Sequence, residues 1–360
     1  MTDSMKAGIV VPGRKGSACV VDMPVPEPDQ GEVLVRVLEV GIDGTDTEID
    51  DGEFGEAPEG EESLVGGHEC IGEIIEPGKS GLDKGQLVVP IVRRPDGCPE
   101  CRAGQYDLCT EGGYKERGIR GLHGFAREFF SEKPDFLVPA PDTIRNVAVL
   151  TEPLSVVEKG VSRAMAVHEY SAKPVETALV LGAGPLGLLA VACFRQQGIS
   201  TYGLDIVPES SPKARIIKDF EAHYIDGREL DLEQLPDRIG SPDVIFEATG
   251  DSTVMFQAML ALGKNGVLCL AGLAAKAKPL PVETDALLSG LVLDNKTVFG
   301  TVSSNRSHYE KAVRLLAEAA ERWPGVMSRV ITGRYELREF VEALHPENET
   351  IKNIVQVAAG

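Results

Sequence analysis

The sequence predicts an α/β protein of two domains, one β-rich and one built on a doubly wound parallel sheet. Three observations carry that reading. At 360 residues the chain is too long for one small core, and two domains is the natural division. Its first part holds short β-type runs punctuated by Gly and Pro, the pattern of a barrel-like or open β domain. From residue 178 strand-like and helix-like stretches alternate, which implies a parallel sheet covered on both faces.

In chain order, strands are expected at residues 17–22, 33–40, 72–75 and 86–90. Residues 152 to about 167 are helical in character, and Lys173-Pro174-Val175 marks a boundary. A strand at 178–181, a glycine-rich turn and a helix at 186–197 follow, then a strand at 201–204 ending on Asp205. Further strands are expected at 244–247, 267–271 and 297–300, a long amphipathic helix at 308–321, and a strand-like tail at 351–357. The domains are drawn as 1–160 with 304–360, and 161–303.

Hydrophobic residues make up 42% of the chain and mean hydropathy is −0.06, values of an ordinary globular protein. No apolar run approaches the roughly 18–20 residues of a membrane span, and Met1–Lys6 is short and polar with no signal-peptide core behind it. No membrane partner is expected, and a cytoplasmic location is. Acidic residues number 56 against 36 basic, a net charge of −20. Such a surface excludes nucleic acid as a partner, since phosphate binding needs clustered cations. The acidic runs at 48–53 and 59–62 read as solvated surface; adaptation to a high-salt, halophilic cytoplasm is the sharper alternative. The seven cysteines are odd in number, which argues against a disulfide framework. Cys98, Cys101 and Cys109 cluster and point to metal chemistry instead.

The run Gly182-Ala183-Gly184-Pro185-Leu186-Gly187 is a dinucleotide-binding turn. Its first glycine permits the tight bend, the second lets backbone approach a pyrophosphate, and the third lets helix and strand pack closely. The helix that follows offers unpaired N–H groups and a positive dipole end to phosphate. Asp205 lies 18 residues beyond Gly187; a carboxylate there accepts hydrogen bonds from ribose hydroxyls and repels a 2′-phosphate. NAD is therefore preferred, while Lys213 and Arg215 close behind leave NADP open. Thr249 and Gly250, after the strand at 244–247, are counted with the cofactor-binding residues. The chain reads as a nicotinamide-dependent oxidoreductase with a Rossmann domain.

Three short segments attract attention for metal chemistry: Gly41-Ile42-Asp43-Gly44-Thr45-Asp46, Gly66-Gly67-His68-Glu69 and Thr151-Glu152-Pro153-Leu154. Singly, each has a bland explanation: a turn aspartate, a core histidine, a carboxylate at a helix N-terminus. Their order, with the glycine-rich turn, resembles the zinc-dependent medium-chain dehydrogenase/reductase family over nearly the whole chain. Glu152-Pro153-Leu154, Glu158-Lys159, Glu116-Arg117-Gly118-Ile119, the stretch Gly124 to Phe130 and the stretch Asn295 to Val302 look most like its archaeal glucose dehydrogenase branch, halophilic members included.

That resemblance implies a GroES-like catalytic domain, a Rossmann domain and a catalytic zinc. The family's usual first ligand is cysteine, and Asp43 stands there; carboxylate oxygen makes the site harder and less thiophilic. His68 is the implied nitrogen ligand, Glu69 a carboxylate binding directly or through water, and Glu152 the group completing the site. Cys98, Cys101 and Cys109 match three ligands of a structural zinc lobe. A fourth cysteine is expected three residues before Cys98, where Pro95 stands. Asp96 is a candidate substitute, and a lobe that no longer binds metal is the alternative.

The implied reaction is oxidation of an aldose, D-glucose at C1 to the lactone, with hydride passing to nicotinamide and a proton relay starting at Thr45. Glu69, Glu116 and Glu152 are the implied acceptors of sugar hydroxyls. Ser303 stands where the branch carries a sugar-reaching asparagine, which opens galactose or a pentose as substrates. His123 is matched in the turn 121–124, with a structural role as its alternative. Relatives suggest a homo-oligomer, dimer or tetramer. Rival readings are a polyol, alcohol or threonine dehydrogenase of the same family and, from another class, a non-catalytic NAD-binding sensor, which the aspartate at 43 alone favours.

Overall fold

The computed structural model describes residues 4–229, 232–273, 279–347 and 350–357. Contacts divide the chain into one unit of Met1–Glu152, Ser303–Ala320 and Met327–Gly360, and a second of Pro153–Val302 and Glu321–Val326.

The first unit is built from short strands: β1 (Ser4–Val10), β2 (Cys19–Pro24), β3 (Val33–Ile42), β4 (Leu64–Val65), β5 (Glu69–Glu76), β6 (Leu87–Pro90), β7 (Arg93–Arg94), β8 (Lys115–Arg117), β9 (Gly121–Leu122), β10 (Phe129–Glu132) and β11 (Leu137–Pro139). Helix α1 (Gly44–Asp50) follows β3, and α2 (Pro99–Arg102) follows β7. β3 is the hub. Its valines and leucines are buried along most of its length, the signature of a strand covered on both faces rather than one. β5 pairs antiparallel along one edge of β3. The other edge is shared: β10 lies against Val33–Arg36, and a strand from the chain's end lies against Glu39–Ile42.

The second unit begins at Pro153, within helix α3 (Thr151–His168), and runs β12 (Thr177–Leu181), α4 (Pro185–Gln196), β13 (Ser200–Asp205), α5 (Pro212–Asp219), β14 (His223–Asp226), α6 (Leu235–Ile239), β15 (Val244–Glu247), α7 (Ser252–Ala261), β16 (Val267–Leu270), α8 (Thr284–Leu293) and β17 (Thr297–Gly300). The strand order is β14-β13-β12-β15-β16-β17, every pairing parallel. This is the doubly wound order whose switch point lies beside the first strand. The chain then forms α9 (Arg306–Arg322), β18 (Ile331–Glu336), α10 (Phe340–Leu344) and β19 (Lys352–Gln356). β19 is the strand that closes onto β3.

Nine strands escape the sequence reading: β1, β4, β7, β8, β9, β10, β11, β14 and β18, seven of them only two to four residues long. In β1 the alternation of Met5 and Ala7 inward with Ser4 and Lys6 outward is hidden by its polar opening residues. Among the described residues no helix is long and apolar enough to cross a membrane.

Candidate functional site

Where β3 ends, Asp43 turns the chain into α1. Its backbone is extended, and Oδ1 accepts from Thr45 N at 2.8 Å and from Asp46 N at 3.3 Å, satisfying two otherwise orphaned donors of the first turn. Asp43's second oxygen, Oδ2, faces His68 Nε2 at 3.5 Å. The other ring nitrogen, Nδ1, lies 3.6 Å from Asp46 Oδ1, which itself accepts from Gly67 N at 3.0 Å. His68 is thus set between two carboxylates. Burial alone would pull its imidazolium down, but Asp43 and Asp46 raise it well above its ordinary value.

Glu69 opens β5 directly opposite Gly41 of β3. A Cβ on Gly41 would fall 2.0 Å from Glu69 Oε2, so only glycine leaves room for the carboxylate. Glu69 Oε1 meets Lys352 Nζ at 2.5 Å, and both side chains are only 1% exposed. The two directions conflict: burial, aided by Asp43, pushes Glu69 up despite Lys352, while Glu69 and Asp43 hold Lys352 above its ordinary value despite burial. Burial of both groups against each other decides for the ion pair, since a buried charge is costly unless it is paired. Glu152 is half-buried and feels the charges of this group without joining its convergence. Burial first, then the carboxylates of Glu69 and Asp43, push it up to about 8 against the opposing pull of His68 and Lys352.

This arrangement fits a zinc ion. Asp43, His68 and Glu69 bring ligand atoms within 4.8 Å of one another, and Glu69 Oε2 is buried with no hydrogen-bond partner. Oxygen and nitrogen ligands of tetrahedral zinc lie roughly 3.3 Å apart, close to the 3.5 Å between Asp43 and His68. A second convergence joins Asp96, Cys98, Cys101 and Cys109, again within 4.8 Å. Cys98 Sγ and Cys109 Sγ are 3.9 Å apart, and Asp96 Oδ2 is 3.0 Å from Cys109 Sγ. Thiolates on one zinc stand about 3.8 Å apart, so this donor set fits as well, with Asp96 as its fourth member.

In the second unit, Gly182 (φ 94°) bends the chain after β12. A Cβ on Gly187 would fall 1.8 Å from Gly182 O, whereas one on Gly184 would meet nothing within 4 Å. The third glycine is therefore demanded by packing, and the second faces open space where a phosphate group fits. Ala183, Pro185 and Leu186 complete the turn. Asp205, at the end of β13, accepts from Ala183 N at 2.6 Å, so the carboxylate predicted to read the ribose touches the turn itself. Glu247 Oε1 holds Thr249 N at 2.6 Å and Gly250 N at 3.2 Å, and Thr249's methyl carbon lies 3.1 Å from where a Gly182 Cβ would be.

The remaining predicted residues have other neighbours. Glu116 Oε1 is held by Arg93 at 2.9 Å. Ser303 is half-buried in the left-handed region at φ 56°, a conformation a larger branched residue would strain. Thr45 is half-buried in the first turn of α1. His123 Nδ1 accepts from Val65 N at 3.2 Å while Nε2 lies 3.0 Å from Glu61, a bracing role.

The family model for the alcohol dehydrogenase GroES-like domain matches residues 29–142, and that for the glucose dehydrogenase C-terminus matches residues 145–357. The chain belongs to the zinc-dependent medium-chain dehydrogenase/reductase family, in its glucose dehydrogenase branch. Similar to this dehydrogenase is the glucose 1-dehydrogenase of Methanocella arvoryzae, 43% identical over 359 residues, covering 99% of this chain and 100% of the relative. That of Thermoproteus tenax is 40% identical over 98% of this chain and 99% of its own. The structure of Haloferax mediterranei glucose dehydrogenase in complex with NADP, Zn and gluconolactone superposes with a TM-score of 0.90 at 35% identity, covering 99% of this chain and all of that one.

Two residues of this dehydrogenase's site went unread in the sequence. Asp46 carries one signal in the sequence, an acid three residues after a capping Asp, which is a capping-box pattern. Lys352 sits inside an apolar tail strand, and a buried lysine in such a run was its only mark.

Proposed function

We propose that this dehydrogenase oxidises glucose at C1 to the lactone, with NAD as its preferred hydride acceptor and NADP as the second. Asp43, His68, Glu69 and Glu152 would hold the catalytic zinc, and Asp96, Cys98, Cys101 and Cys109 a structural one. The observation that carries the reading is the convergence of Asp43, His68 and Glu69 in a chain whose relatives are named glucose 1-dehydrogenases. When bound, zinc supplies Lewis acidity toward the C1 hydroxyl and the nicotinamide supplies the hydride acceptor. The chain's residues do the rest. Asp46 orients His68 from behind. Thr45, two residues past Asp43, offers the hydroxyl that begins a proton path. Glu69, Glu116, Glu152 and Ser303 offer acceptors to sugar hydroxyls, each of which would cost about 1–3 kcal/mol if buried unpaired. Asp205, already at Ala183 N, accepts from the ribose.

The test is a substrate panel of glucose, galactose, xylose, sorbitol, threonine and ethanol followed by NADH absorbance. Turnover of polyols without aldoses would overturn the glucose assignment. Absence of bound zinc with no turnover at all would favour a sensor.

A homo-oligomer is part of the proposal, supported by Leu288, Val292 and Leu293 of α8, which are 56%, 77% and 79% exposed, too apolar to be left in water at one site. Light scattering tests it. A cytoplasmic location is supported by the unpaired state of all seven cysteines.

A further inference from the structure

Lys352 is the least explained charge in the first unit. It opens β19, whose next residue, Asn353, pairs with Ile42 of β3, and its ammonium is buried against Glu69 Oε1 at 2.5 Å with both side chains 1% exposed. The carboxylate is held at one end only. Oε1 is tied by charge to Lys352; Oε2 lodges over Gly41, where a Cβ would be 2.0 Å away, and has no hydrogen-bond partner. With Oε1 engaged by Lys352, Oε2 is the oxygen left to approach an ion.

We infer that Lys352 is a positioning residue that restrains Glu69 to a partial, one-oxygen approach to the metal and so keeps a coordination position open for the sugar oxygen. The inference rests on the zinc reading of Asp43, His68 and Glu69. Charge supports it independently. The carboxylates of Asp43, Asp46 and Glu69, Asp46 standing behind His68, leave one negative charge over beside a divalent ion in that reading. Lys352 cancels it in a place water does not reach, where an unpaired charge is costly. Without the lysine, Glu69's freed oxygen is left to turn toward the metal. Glu69 then becomes a full ligand, the site closes, and the metal is held more tightly in a less reactive form.

The test uses the full chain stripped of metal and reloaded with Co²⁺, alongside the Zn²⁺ form. Lys352→Met is expected to weaken the visible cobalt absorption as coordination rises beyond four, and to slow zinc loss to a chelator about tenfold or more, the scale on which residues behind a ligand act. The cysteine lobe contributes equally to both proteins and cancels in the difference spectrum. Glucose turnover falls in parallel. Lys352→Gln, neutral but still able to donate to Oε1, carries the same expectation should the methionine variant not fold. Glu69→Gln combined with Lys352→Met should restore the original spectrum, and Lys352→Arg should keep it. A cobalt spectrum unchanged in Lys352→Met, or zinc lost at the original rate or faster, overturns the inference while leaving the zinc reading standing. A wild-type chain that takes up metal only at the cysteine lobe overturns both.

Discussion

Asp43 and Asp46 exchange hydrogen bonds across the first turn of α1, Asp46 N donating to Asp43 Oδ1 at 3.3 Å and Asp43 N donating to Asp46 Oδ2 at 3.1 Å. One carboxylate therefore serves the helix with Oδ1 and turns Oδ2 toward His68. The two duties separate by mutation. Asp43→Asn keeps an acceptor at the cap and should leave the urea midpoint of metal-free protein near that of the wild type, while zinc affinity drops. Asp43→Ala loses both and should cost about 1 kcal/mol of stability besides. Equal destabilisation by the two would contradict the division of labour.

Asp205 is the residue on which cofactor choice should turn. Asp205→Ala removes an ionised acceptor, worth about 1.5–3 kcal/mol, and kcat/KM for NAD should fall about tenfold or more. That for NADP should hold or rise, because the repulsion toward a 2′-phosphate is gone. Initial rates with both cofactors give the ratio, and an unaltered ratio would remove Asp205 from the selectivity.

At the cysteine lobe, Asp96 accepts from Cys98 N at 3.0 Å and Gly113 N at 2.9 Å, so it is fixed before any metal arrives. Asp96→Ala is expected to lose the lobe's zinc on dialysis while retaining that of the Asp43 cluster, read as metal per chain by mass spectrometry. Asp96→Cys should hold it more tightly than the wild type.

Glu132 supplies a pH dependence distant from either metal set. Burial would raise its carboxyl, but Arg94 and Arg117, the latter at 2.9 Å, overrule burial and hold it below its ordinary value of 4.5. The folded form thus releases this proton more readily than the unfolded one. Its stabilisation is present above pH 4.5 and is lost as pH falls through the depressed value. Urea midpoints should decline below that pH, and Glu132→Gln should flatten the decline while lowering the plateau.

Gly187→Ala asks for a carbon 1.8 Å from Gly182 O. The turn cannot accept it without opening, so NADH binding by fluorescence titration should be abolished while the first unit keeps its cobalt spectrum.

Much of the second unit was legible because buried parallel strands are continuous apolar runs bounded by glycine. The expected strand at 244–247 is β15 (Val244–Glu247) to the residue, and 297–300 is β17 (Thr297–Gly300). β18 (Ile331–Glu336) was not, since Gly333 and a register shift there break its alternation. In the site, Asp43, His68 and Glu69 announce themselves by short motifs near one another in sequence. Lys352 lies 283 residues from the glutamate it pairs with, and no local pattern carries information over that distance.

That separation has a meaning for how the molecule is made. A ribosome delivers Lys352 283 residues after Glu69. Until β19 has emerged, Glu69 is a carboxylate in an apolar sheet with its countercharge still unsynthesised. The nascent first unit is therefore held back from a finished, metal-ready pocket until β19 has been made, and chains cut before Lys352 should fail to assemble it although they keep every metal ligand.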